Sequence, residues 1–172
     1  MKNFLKLKLI IPLVTAVLLV SVVAISLVSS GDFSYAQGNT PIAKILCFPN
    51  TSSSFTVDVF PVANNEKTTT SAGGDVVSTT GKLVLSFTNE TTQKTIVKNV
   101  SGPTTVTTNP DGSGTFQGRG NNWLGFGPHG QANTGEPGLV FTSGLVTVTF
   151  ASGTAQTFSL NGHQDNGCTL LS

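Results

Sequence analysis

Charge is what this sequence has least of. Of its 172 residues, 9 are Lys or Arg and 8 are Asp or Glu, so charged side chains make up 10%, against roughly 25% in an average soluble domain. The two signs nearly cancel. No basic stripe is available to hold a phosphate backbone, which excludes nucleic acid as a partner. Cysteine is scarce as well: two residues are too few for a structural zinc site or a multi-bridge scaffold. Histidine occurs twice and Trp, Tyr and Met once each, which leaves little with which to build an acid–base centre. There is no Gly-x-Ser-x-Gly elbow, no His-Glu-x-x-His and no Cys-x-x-Cys, so no catalytic residue, metal or cofactor is expected.

What stands in place of charge is Thr, Ser, Asn and Gly, a polar but uncharged make-up common among exported β-proteins. The N-terminus fits export. Lys2, Lys6 and Lys8 precede an uncharged apolar stretch from Leu9 to Val28, and Ser34-Tyr35-Ala36 offers small residues at −3 and −1, the pattern a signal peptidase reads. Residues 1–36 are therefore expected to be a signal peptide cleaved before Gln37. Because a run of about 20 apolar residues also spans a bilayer, the alternative is an uncleaved N-terminal membrane anchor. In either case the lysines stay cytoplasmic and the rest faces outward, so the working part is secreted or at the cell surface. Contact with a membrane is expected only if the segment stays uncleaved. Removing residues 1–36 takes away three basic groups and one acidic group, leaving six and seven.

From residue 37 to 172 the chain reads as one β-domain. Leu83, Leu85 and Phe87 alternate with Val84, Ser86 and Thr88; Val146, Val148 and Phe150 alternate with Thr147 and Thr149. A period of two puts apolar groups on one face and hydroxyls on the other, which is a half-buried antiparallel strand. Strands are predicted near 43–48, 54–62, 75–79, 82–89, 94–100, 104–109, 113–118, 122–126, 138–142, 144–151, 155–161 and 166–171, with some neighbours free to merge into one bent strand. Asn109-Pro110-Asp111-Gly112, Asn89 to Gln93 and Ala151-Ser152-Gly153 read as hairpin tips. The Thr-rich stretch Asn64 to Gly74 reads as a solvated loop.

Cys47 lies in the first predicted strand and Cys168 in the last. In an oxidising space two cysteines pair more often than they stay free, and this bridge would tie the first strand to the last. The expected fold is thus an antiparallel β-barrel, with a β-sandwich as the alternative.

The segment from Gly120 to Gly138 holds six glycines, the only Trp and one of two histidines. Long loops of this kind are often functional, so Trp123, Phe126 and His129 are the candidate ligand-binding residues, for a small apolar or sugar ligand. The competing reading is that Trp123 plugs one end of the barrel. His129, Glu136, His163 and Asp165 are the one set of residue types suited to a metal, but their spacing matches no metal motif. Asn50-Thr51-Ser52, Asn89-Glu90-Thr91 and Asn99-Val100-Ser101 are glycosylation sequons, with Asn89, at a predicted hairpin tip, the most accessible.

Val100-Ser101-Gly102-Pro103, Asn109 to Thr115, the Trp123-Leu124-Gly125-Phe126 loop, Gly138 to Gly144 and the late Cys168 give residues 44–172 a resemblance to small exported actinobacterial-type proteins. These have one β-domain with a cysteine near each end. That resemblance implies an extracytoplasmic β-fold and carries no catalytic residue. The expected function is a non-catalytic exported β-barrel that binds a small ligand or a surface partner. The alternatives are a small barrel cyclase or isomerase and a cell-envelope structural protein. An enzyme would place Asp, Glu, Arg119 or His inside an apolar barrel.

Overall fold

The computed structural model describes residues 40–50, 53–151 and 153–172. The N-terminal segment 1–36, read above as signal or anchor, lies outside them. Among the described residues, eight strands and two short helices follow one another: β1 (Ala43–Asn50), β2 (Ser53–Thr70), β3 (Val76–Asn89), β4 (Thr95–Asn99), β5 (Thr104–Thr108), β6 (Gly114–Gly125), α1 (Pro128–Thr134), β7 (Leu139–Ala151), β8 (Thr154–Asn166) and α2 (Gly167–Leu171). All pairings are antiparallel, in the order β1-β2-β3-β5-β6-β7-β8, with β4 beside β5 on the same edge of β3. The sheet curls into a half-barrel.

The strands are fewer and longer than the sequence pattern predicts. The runs 75–79 and 82–89 are one strand, as are 113–118 with 122–126, and 138–142 with 144–151. Each junction holds a glycine that keeps the ladder intact while the strand bends. Gly120, Gly144 and Gly162 lie opposite one another across β6, β7 and β8, which makes a transverse crease. Gly144 has φ +137°, and a Cβ there would sit 2.8 Å from Gly162 Cα; no other residue fits.

Two expectations are overturned. The stretch 64–74 is not a loop up to Thr70: it continues β2, whose Ala63–Thr70 segment pairs with Val77–Val84 of β3. Both faces of this ribbon are mostly solvated, so no apolar alternation marks it, and its threonines suit the pleat. The run 166–171 is not a strand but ends in helix α2, whose N-cap Asn166 accepts a hydrogen bond from the Thr169 N–H. An asparagine side chain that satisfies an orphan helix N–H favours that start.

The bridge between Cys47 and Cys168 is formed, with a Cα–Cα distance of 5.4 Å. It joins β1 to the end of β8 through the first turn of α2. Both sulfurs sit in the main core, with Val57, Val59, Leu85, Phe87, Trp123, Phe141 and Leu171. A second core lies on the opposite face of β6 and β7, where Leu124, Phe126, Val140, Val146 and Val148 meet Phe158 and Leu160. Successive side chains of a strand point to opposite faces, so Trp123-Leu124 and Val140-Phe141 each feed both cores. This is why the segment reads as continuously apolar. Among the described residues no helix is long and apolar enough to cross a membrane.

Candidate functional site

The segment 120–138 was the sequence's best candidate for a binding loop, and it is mostly regular structure. Its first part completes β6. Pro128 then starts α1 at the position where its missing N–H costs nothing, and Gly135, with φ +75°, ends it. The helix and the residues after it touch β8 on both sides of the crease: Asn133 Nδ2 donates to Ala155 O at 3.0 Å, and Gln164 Nε2 donates to Glu136 Oε2 at 2.5 Å.

The three candidate ligand-binding residues are not brought together. Trp123 is 8% exposed and lies edge-on to Phe87, ring centroids 5.7 Å apart. Phe126 is 3% exposed and belongs to the other core, 6.0 Å from Phe158. His129 alone is exposed, on α1. An aromatic platform needs a free ring face; both rings here are packed. Trp123 is packed in the main core and Phe126 in the second, so neither ring offers a free face to a ligand from the 120–138 segment.

Of the sequons, Asn89 is not the accessible one. It is 1% exposed: its Oδ1 accepts from the N–H groups of Thr91 and Thr92 at 2.8 and 3.1 Å, and its Nδ2 donates to Leu171 O at 3.0 Å. The hairpin tip is there, and Gln93 takes φ +61°, but α2 covers the asparagine. Asn99 is exposed. The Asn50 side chain lies outside the described residues.

What the fold does assemble is a polar rim where β4 meets β7 and β8. Lys98 of β4 sits 5.2 Å from the centre of the Phe141 ring and 3.6 Å from Asp165 Oδ2. Asp165 Oδ1 is 3.0 Å from His163 Nε2. Ser143 faces His163 across the ladder, though no hydrogen bond joins its hydroxyl to the ring among the described contacts. Asp165 and His163 were visible in the sequence as a pair; Lys98 and Ser143 were not, because only the curl of the sheet carries β4 over β8. The cation and the imidazole share one carboxylate. At half-exposed sites such pairs orient side chains and contribute about 0–1 kcal/mol each. Among the described residues no three His, Cys, Asp or Glu side chains converge on a metal position.

Other charged groups serve turns and the outer surface. Ser71 Oγ, 2.5 Å from Asp75 Oδ1, holds that carboxyl below its usual range, and Ser113 Oγ does the same for Asp111 at 2.6 Å. Lys44 is held above its usual value by Glu90 first and Asp58 second, the latter at 2.9 Å. Burial raises the Glu66 carboxyl. The charged residues expected inside a barrel enzyme are elsewhere: the buried polar side chains among the described residues are Asn89, Asn122 and Thr142, and Arg119 is exposed.

Compared with family models, curated proteins and solved structures, the chain matches none.

The outward face of β1–β4 is the remaining feature of note. The register places Phe60, Ser86 and Val97 in one transverse row. Val97, in that row, is 59% exposed; beside it, Val62 is 53% exposed, and Ile42, just before β1, is 41% exposed. The next row carries Lys44, Asp58, Thr88 and Thr95. An apolar row bordered by hydroxyls and one ion pair is unlike the evenly polar outer face of an isolated antiparallel sheet.

Proposed function

We propose that this chain is an exported, non-catalytic β-domain that binds a surface partner through the outward face of β1–β4. The row Phe60–Ser86–Val97 with Val62 and Ile42 carries the reading. Exposed apolar side chains grouped on a face mark interaction surfaces more often than they decorate a free one. Burial of Trp123 and Phe126 in two separate cores moves the weight from a small ligand to a partner. The bridge between Cys47 and Cys168 is consistent with an extracytoplasmic setting.

Val62 and Val97 are exposed enough to be changed without loss of core packing. The test is the binding of labelled domain, residues 37–172, to washed envelopes of the producing cells. The parent should bind saturably, and a Val62→Asp, Val97→Asp double variant should bind at least tenfold more weakly while melting at the same temperature. Equal binding by the two proteins, or no saturable binding by the parent, overturns the proposal.

A further inference from the structure

We infer that Asn99 is an N-linked glycan acceptor of this protein and that Asn89 is not. Three sequons are present in the sequence, and the fold treats them differently. Asn89 is excluded by its burial and by its three hydrogen bonds, since a transferase cannot reach a carboxamide enclosed between a turn and α2. Asn99 is the last residue of β4 and is exposed. Among the described residues β4 is paired with β3 alone, so its other edge has no ladder partner there.

The local geometry presents the amide. The Ser101 N–H donates to Asn99 Oδ1 at 3.1 Å, and the Ser101 hydroxyl lies 2.5 Å from the same oxygen. That hydroxyl is itself fixed, accepting from the Leu83 N–H at 2.8 Å and lying 3.1 Å from Leu83 O. A sequon needs Ser or Thr two residues after the asparagine, and here that residue pins the carbonyl side of the carboxamide. Nδ2 has no hydrogen-bond partner among the described residues, both contacts of the side chain being to Oδ1. Within the protein this amide spends only its acceptor, and its donor side is open to solvent.

The chemistry is a glycosyl transfer from a saccharide carried on a polyprenyl phosphate or diphosphate. Nδ2 attacks the anomeric carbon, the C–N bond forms as the bond from that carbon to the phosphate oxygen breaks, and the lipid phosphate leaves. The amide proton passes to a base of the transferase. The donor and transferase act outside the cytoplasm, so this inference rests on the export proposed above.

Trypsin separates the sites, because Lys82, Lys94, Lys98 and Arg119 release Asn89 in peptide 83–94 and Asn99 in peptide 99–119, or 95–119 if a glycan blocks cleavage after Lys98. Protein isolated from the producing organism should show saccharide mass increments and sugar fragment ions on the Asn99 peptide and none on 83–94. Asn99→Gln should abolish them with no change in melting temperature, and Ser101→Ala should abolish them with Asn99 still in place. An Asn99 peptide of unmodified mass in protein that begins at Gln37 overturns this inference and leaves export standing. An intact Met1 in the cytoplasmic fraction overturns both.

Discussion

Trp123 shows how far a single residue can be read from sequence. Its type marks it as a large apolar group with a polar tip, and its glycine-rich surroundings suggest a loop. The structure resolves the two by pairing Trp123 with Phe141 across β6 and β7 and setting its ring against Phe87. Removing it deletes the edge-on contact with Phe87 and leaves a cavity in the main core. Trp123→Ala should therefore cost on the order of 3–5 kcal/mol, read as a lower denaturant midpoint by circular dichroism with an unchanged slope; a loss under about 1 kcal/mol would put the ring back at the surface. Asn89 teaches the opposite lesson. Its turn was legible from Asn89 to Gln93, but its burial was not, because the covering carbonyl belongs to Leu171, 82 residues away. Local pattern holds no trace of so distant a partner.

At the scale of elements, the period-two alternation locates nearly every strand, and the misplaced strand ends share one cause: glycine and polar runs read as ends, whereas here the ladder runs through them. In β7 the sequence Thr142-Ser143-Gly144-Leu145 breaks the apolar pattern, yet the ladder to β6 and β8 runs through it without a register shift. The crease makes a specific demand. Gly144→Ala should destabilise by about 2–4 kcal/mol, since φ +137° is strained for any residue with a Cβ and the added atom meets the β8 backbone. Its exposed neighbour is the control: Ser143→Ala should stay within about 0.5 kcal/mol. Equal melting temperatures for the two variants would mean that the strands do not cross so closely. Neither helix is predicted from the sequence. Pro128, Gly135 and Asn166 each carry the right chemistry, but seven and five residues are too few to show a helical period.

For the molecule as a whole, composition and two cysteines were enough for the class of fold and for the bridge, and not enough for the shape. Whether the sheet closes depends on how strongly each strand twists and bends, which the glycines set in three dimensions. The candidate site shared that fate: its residue types were visible, while the packing of Trp123 and Phe126 and the approach of Lys98 to Asp165 arise only on folding. The bridge spans 121 residues of sequence, and loss of a closure of that size removes on the order of 4–5 kcal/mol in chain-entropy terms. Cys168→Ser should accordingly melt more than about 10 °C below the parent, and thiol labelling of the unreduced, denatured parent should give no adduct. A parent that labels, or a variant that melts alongside it, would remove the bridge from the account of stability.

The same bridge decides how this protein answers to force. A pull applied on either side of it loads the Ala43–Leu46 part of β1 and then passes from Cys47 directly to Cys168, which are 5.4 Å apart, bypassing the ladders from β2 to β8. The enclosed chain would stretch to about 400 Å if it were free to extend. Held by the bridge, it adds none of that length, so tension leaves β2 to β8 in place until the sulfurs are reduced.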